Sequence, residues 1–256
     1  MLYVRSLVFN VLFYLNLIVL MILGLPLLLT NRKGVFWLCA AWGKSSLWLL
    51  DKICNLKSEF RGLENIPEGA VIIAPKHQSI WETFALEMFF KDYTIILKRE
   101  LTLVPVFGWY LWRADLIAIN RTKGRSALDQ IIERTRMLRA QGRQLFFFPE
   151  GTRRPPGAPP KYKIGIAQVY AASGMACLPV AMNSGLFWPR RSFVRRPGTI
   201  VVEFLPVIPA GLPRDEFFTL LQTTIETHSN KLMAEAIAKD PSLAEHLEQP
   251  LPVVAQ

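Results

Sequence analysis

Cysteine and histidine are the scarce residues of this chain: its 256 residues include three of each. Cys39, Cys54 and Cys177 form no close pair and no metal-ligand spacing, which argues against a disulfide framework and a zinc site. Small buried hydrophobes in a reducing compartment are what such cysteines usually are. Acidic residues are short too, with 20 Asp and Glu against 30 Lys and Arg, a net charge of +10. That surplus suits an anionic partner: a phosphate substrate, a nucleic acid or an acidic membrane surface. The aromatic and apolar residues around the basic runs favour lipid over nucleic acid. There is no Gly-x-Ser-x-Gly elbow, so Ser79 has nothing that marks it as a nucleophile. No internal repeat is visible. His228 and His246 sit in a polar C-terminal stretch, which leaves His77 for any imidazole chemistry.

What is abundant is apolar length at the N-terminus. Leu7 to Leu29 is uncharged, broken only by Asn10 and Asn16, with Gly24 and Pro26 near its end. That length can span a bilayer as a helix. It exceeds the apolar core of a signal peptide, and no convincing small-x-small cleavage site follows Pro26. After Thr30-Asn31-Arg32-Lys33-Gly34 comes a second apolar stretch, Val35 to Leu50, carrying Trp37, Trp42 and Trp48. Tryptophans at that density suit headgroup depth. Two arrangements stand: one span followed by an interfacial helix, or a hairpin of two immersed helices. Arg32 and Lys33 favour a cytoplasmic location for their end of the first helix. The expected division is a membrane-embedded helical segment at 1–55, an α/β domain at 56–240 and a loosely ordered tail at 241–256.

From about Phe60 strand-like and helical runs alternate. Val71–Pro75, Thr94–Leu97, Leu116–Asn120, Leu145–Phe148, Ala176–Met182 and Thr199–Phe204 read as buried strands. Ile80–Phe90, Ser126–Gln141 and Ile164–Ser173 read as helices, and a last one runs from Arg214 to Ala236. Ser126 three before Asp129 has the look of a cap, and Gly142 of a stop. The alternation implies an α/β fold: a mixed, largely parallel sheet flanked by helices.

In open α/β sheets, sites collect at the carboxyl ends of strands. Pro75-Lys76-His77-Gln78-Ser79-Ile80-Trp81-Glu82 ends one strand with a base and a carboxylate five residues apart. On a regular helix such positions lie about 140° apart. The two meet only if His77 sits in the turn before a helix and Glu82 reaches back from it. A lone histidine there is also what a buried imidazole bonded to a carbonyl would look like. Two further strand ends add chemistry. Arg121 follows Ile119-Asn120, and Phe148-Pro149 runs into Glu150-Gly151-Thr152-Arg153-Arg154. Gly151 lets backbone amides approach a ligand, Thr152 can donate and Arg153 offers a forked anion clamp. Lys161-Tyr162-Lys163 opens another helix, whose free N–H groups favour phosphate. Together these make a histidine base amid anion ligands. Trp188-Pro189-Arg190-Arg191-Ser192-Phe193-Val194-Arg195-Arg196 suits an anionic lipid surface or a solvated loop, and the Pro-rich stretch 154–160 suits an entrance wall or a spacer.

His-x4-acid, the strand-ending arginine, Phe-Pro-Glu-Gly-Thr-Arg and the later Leu178-Pro179-Val180 occur in the order found in the glycerolipid acyltransferases. From about Arg61 to Val207 the chain resembles the bacterial 1-acylglycerol-3-phosphate (lysophosphatidate) acyltransferases. The family usually has aspartate where this chain has Glu82. The resemblance implies His77 as general base on the lysophospholipid hydroxyl, which then attacks the thioester of acyl-CoA or acyl-carrier protein. Glu82 would orient the imidazole. Arg121, Glu150, Gly151, Thr152 and Arg153 would hold the glycerol phosphate with Lys163 nearby, and Pro179 and Val180 would shape the pocket. No metal or other cofactor is implied, and the partners are membrane phospholipid and the acyl donor. The setting implied is the bacterial inner membrane, with the site on its cytoplasmic face. Left open are the same chemistry on glycerol 3-phosphate, another lysophospholipid or a lyso-ornithine lipid, and a non-catalytic phospholipid-binding protein.

Overall fold

The computed structural model describes residues 1–120 and 124–252. The N-terminal apolar run forms α1 (Leu2–Leu23), then a 3-10 segment Leu25–Leu29 with Pro26 in its first turn. Proline lacks the N–H that an α-helix would need, so α1 ends before the apolar run does. Asn31 starts α2 (Arg32–Leu49) by accepting a hydrogen bond from the Lys33 backbone N–H (3.0 Å). A π-helical turn, Leu50–Cys54, extends it until Asn55, at φ 51°, turns the chain out.

Seven strands follow: β1 (Leu56–Arg61), β2 (Val71–Pro75), β3 (Tyr93–Lys98), β4 (Ile117–Ile119), β5 (Gln144–Phe146), β6 (Ala176–Met182) and β7 (Gly198–Phe204). They form one sheet in the order β1-β7-β6-β2-β5-β3-β4. Every neighbouring pair is parallel except β6 and β7. The predicted mixed, largely parallel sheet is the one observed. β1 was not predicted: Lys57, Ser58 and Glu59 interrupt its apolar character, as suits an edge strand paired on one side.

The helices are α3 (Glu82–Ala85), α4 (Phe107–Arg113), α5 (Arg125–Ala140), α6 (Gly165–Ser173), α7 (Ser184–Phe187) and α8 (Arg214–Lys239). Side chains on β2 alternate between two cores. Val71 and Ile73 join Phe9, Phe13, Val35, Phe36 and Phe84 on the α1–α2 side. Ile72 and Ala74 join Ile131, Ile166, Val169, Phe217 and Ile225 on the α5–α6–α8 side. The N-terminal hairpin therefore shares one hydrophobic core with the sheet.

Three local expectations need correction. The helix expected over Ile80–Phe90 is broken into α3 and a 3-10 turn Glu87–Phe89. Here Gly43 of α2 packs so closely that a β-carbon on it would lie 2.6 Å from the Phe84 carbonyl oxygen. Helix α5 starts from Gly124, not from a Ser126 cap, so Ser126 lies inside its first turn. The basic loop 188–196 is partly internal. Arg195 is buried, stacks on Trp188 (3.9 Å to the ring centroid) and donates to Asn10 Oδ1 (2.7 Å). Burial pulls its pKa down to about 10. Arg195 thus clamps α1, while Arg190 and Arg191 remain exposed.

At the opposite, amino-terminal end of the sheet, Arg143 is fully buried between Asp92 (2.9 Å) and Asp115 (2.6 Å). Arg32 at the start of α2 takes Asp92 with both prongs of its guanidinium at 2.9 Å. Arg32 and Asp92 are each about a third exposed, so this bidentate pair ties the hairpin to the sheet with less energy than a fully buried one would. Residues 241–252 include a 3-10 segment, Pro241–His246, with Leu243 buried, and the Glu248 N–H donates to the Pro156 carbonyl (2.9 Å). All three cysteines are free.

Candidate active site

The carboxyl ends of β2, β5 and β6 lie side by side. The Lys76 N–H donates to the Val180 carbonyl (2.9 Å) and the Arg154 N–H to the His77 carbonyl (2.8 Å). Backbone bonds thus lock the three turns together. His77 sits in the turn before α3, and Glu82 is the first residue of that helix. This is the placement that five-residue spacing requires.

Glu82 is fully buried. Its Oε1 accepts from the backbone N–H groups of Gln78 and Ser79 (2.6 Å each) and lies 3.0 Å from His77 Nδ1. Its Oε2 accepts from Ser184 Oγ at 3.1 Å. A carboxylate that accepts on every side holds Nδ1 as the protonated nitrogen, which leaves Nε2 with its lone pair available. The imidazole lies against Phe148, ring centroids 4.1 Å apart, and its side chain is 14 % exposed. A base held in one tautomer and partly open to the surface can take a proton from a bound hydroxyl.

The anion-binding candidates separate into two groups. Arg153 is half-buried and Lys163 exposed, and among the described residues neither side chain has a hydrogen-bond or ion-pair partner. Thr152 is exposed beside them. Gly151 adopts φ 65°, the left-handed region where glycine is at ease, and Lys163 Cγ would lie 3.9 Å from a β-carbon added there. These four carry the features expected of an anion cradle. Glu150 belongs elsewhere. Its side chain is buried against Lys76 Nζ (3.1 Å), and burial raises its pKa while Lys76 opposes that shift. A carboxylate in that position repels phosphate, so the side chain acts beneath the turn instead of on the ligand. Arg121 lies outside the described residues.

Pro179 and Val180 are buried inside β6, opposite Ala74 and Pro75 of β2. They brace the strand that delivers His77 and line no open surface. Pro179 is tolerated in mid-sheet because its missing N–H faces the β7 side between the Val180–Phe204 and Cys177–Ile208 pairs, while its carbonyl still accepts from the Leu205 N–H (3.0 Å). The Pro-rich stretch is packed: Pro156 is buried, and Pro156 Cδ would lie 3.1 Å from a β-carbon on Gly185. Gly185 in turn donates its N–H to Gln78 Oε1 (3.1 Å).

Ser184, Gln78 and Lys76 carry no expected role in the sequence. Only the Gln78 contact to Glu82 is local; Ser184 is 102 residues away from its carboxylate. No spacing rule could have found it.

A protein-family model described as Acyltransferase matches residues 57–183. A 1-acyl-sn-glycerol-3-phosphate acyltransferase of Pseudomonas aeruginosa is 38 % identical over 194 residues, 76 % of this chain and 76 % of that protein. A chloroplastic enzyme of the same name from Arabidopsis thaliana is 31 % identical over 183 residues, covering 69 % of this chain and half of that one. The crystal structure of the 1-acyl-sn-glycerophosphate acyltransferase of Thermotoga maritima has the same fold, with a TM-score of 0.77 at 22 % identity over 91 % of this chain and 98 % of that one. With a partly open, carboxylate-held histidine at the matched strand ends, the chain belongs to the acyltransferase family, alongside the bacterial 1-acyl-sn-glycerol-3-phosphate acyltransferases.

Proposed function

We propose that the chain transfers a fatty acyl group from acyl-CoA or acyl-carrier protein to the free sn-2 hydroxyl of 1-acylglycerol 3-phosphate, giving phosphatidate. The observation that carries this reading is the 3.0 Å contact of His77 Nδ1 with the buried Glu82 carboxylate, beside unpaired Arg153 and Lys163. His77 Nε2 takes the hydroxyl proton as the oxygen attacks the thioester carbonyl. Glu82 balances the imidazolium that forms. When the tetrahedral intermediate collapses, the carbon–sulfur bond breaks and the imidazolium returns its proton to the departing thiolate. A thioester is already activated, so positioning and one base account for most of what the step needs. Arg153, Lys163 and the Gly151 turn hold the acceptor's phosphate, with Arg121 assigned to the same task.

Helix α1 gives the setting. Val4, Leu7, Val11, Leu15, Ile18 and Ile22 are exposed and spaced as one helical stripe. Both ends of the helix are bonded to the same globular body: Ser6 Oγ accepts from the Arg195 N–H (2.9 Å), and Tyr110 Oη donates to the Met21 carbonyl (2.6 Å). A rod tied at both ends to one polar body lies along a bilayer instead of across it. We therefore assign α1 to the plane of the membrane surface, with exposed Trp37, Trp48, Trp109 and Trp112 as interfacial side chains. The inner membrane of a bacterium, with the site on its cytoplasmic face, suits a soluble thioester donor.

The test is an acceptor panel with labelled acyl-CoA and acyl-carrier protein as donors. Lysophosphatidate should be acylated in preference to glycerol 3-phosphate, lysophosphatidylcholine and lyso-ornithine lipid. Equal transfer to lysophosphatidylcholine would overturn the acceptor assignment.

A further inference from the structure

Lys76 precedes the catalytic histidine, yet its side chain points away from the open site. In an extended strand end, consecutive side chains leave opposite faces, so His77 turns to the α3 side and Lys76 to the α8 side. There its side chain is 3 % exposed and its ammonium meets two carboxylates: Glu150 Oε1 at 3.1 Å and Glu226 Oε1 at 2.6 Å. Tyr162 Oη also donates to Glu226 Oε1 (2.9 Å), and Lys76 Nζ lies 5.7 Å from the centre of the Tyr162 ring.

The chain positions of these partners give the cluster its meaning. Glu150 opens the turn that ends in Arg153, Tyr162 immediately precedes Lys163, and Glu226 lies on α8. One ammonium therefore ties together the strand carrying the base, the two segments carrying the unpaired cations and a helix of the opposite layer. A buried lysine is kept only where paired charges surround it. We propose that Lys76 is a positioning residue for acceptor binding: through Glu150, Glu226 and Tyr162 it sets Arg153 and Lys163 at a fixed reach from His77 Nε2. The lysine touches neither substrate. This inference rests on the acceptor being a phosphate ester, as argued above.

A positioning role separates kinetic constants that a merely structural one would leave alone. The experiment is steady-state kinetics of full-length Lys76→Met on mixed vesicles, varying lysophosphatidate and acyl-CoA independently, below the variant's melting temperature. The acceptor KM should rise about tenfold or more, with the acyl-CoA KM within about twofold and kcat within about threefold of the parent. Amide hydrogen exchange over residues 150–163 should quicken, while that of β3 and β7 stays unchanged. Lower thermal stability with both KM values unchanged would overturn the proposal, as would a fall in kcat at constant acceptor KM. Should Lys76→Met fail to fold, Tyr162→Phe asks the same question, because it removes one hydrogen bond and leaves no charge unpaired. Losing a bond of ordinary strength predicts an acceptor KM raised by about fivefold; equal shifts in both KM values would count against the role. Failure of the functional reading has a different signature, since the parent enzyme would then transfer nothing to lysophosphatidate. The comparison would be made on whichever phosphate-bearing acceptor the panel identifies, with the same outcomes.

Discussion

Glu82 has more to hold than a histidine. Two backbone N–H groups at 2.6 Å fix the turn that carries His77, so the same carboxylate shapes the loop and sets the tautomer. The family's usual aspartate is one methylene shorter; here the longer side chain spans from the first residue of α3 back to Nδ1. Removing its charge and removing its second-oxygen partner should therefore differ greatly in effect. Glu82→Gln is expected to lower kcat on the order of 10²–10⁴-fold, the range for losing base function or its orienting anion. Ser184→Ala loses one bond of about 1 kcal/mol and should cost roughly fivefold in kcat, with both KM values unchanged. Steady-state kinetics on the two variants checks the order, and a Ser184→Ala loss as large as that of Glu82→Gln would contradict it. His77 and Glu82 could be read from the sequence because their contact is local. Lys76, Ser184 and Glu226 could not, since their partners are 74 to 150 residues away.

At the scale of elements, legibility followed burial on both faces. β2 and β6 appeared in the sequence with the ends they have, because both are nearly continuous apolar runs enclosed by helices. β1 and α4 escaped notice: one carries charges along an edge, and the other spans only seven residues after Pro105. Ile80–Phe90 carries no glycine or proline to mark its break, which falls where Gly43 of α2 packs against the Phe84 carbonyl. Asn10 and Asn16 in α1, which interrupt its apolar run, prove to be ties, to Arg195 and to Ser45 Oγ (2.8 Å). The same ties hold the helix to the body of the protein. In a Cys39→Ser background, nitroxides placed singly at Leu7, Val11, Leu15, Ile18 and Ile22 should report one shallow depth, about 5–10 Å into the boundary. A depth that climbs steadily along the stripe to the bilayer centre, at 1.5 Å per residue, would show a spanning helix instead.

For the whole molecule, the net charge of +10 is unevenly used. Arg32, Arg143 and Arg195 are consumed inside the fold, holding the hairpin to the sheet and α1 to the 188–196 loop. Arg153, Lys163, Arg190 and Arg191 remain half-buried or exposed and without a carboxylate partner among the described residues. On the proposed reading, membrane attachment and catalysis rest on different residues of one body, and they can be separated. The most direct measurement compares the parent protein with His77→Ala on vesicles containing anionic phospholipid and lysophosphatidate, recording acyl transfer and vesicle binding in the same samples. Transfer should fall on the order of 10²–10⁴-fold while vesicle binding stays at the parent level. Transfer that survives the substitution would contradict the assignment of His77 as the base.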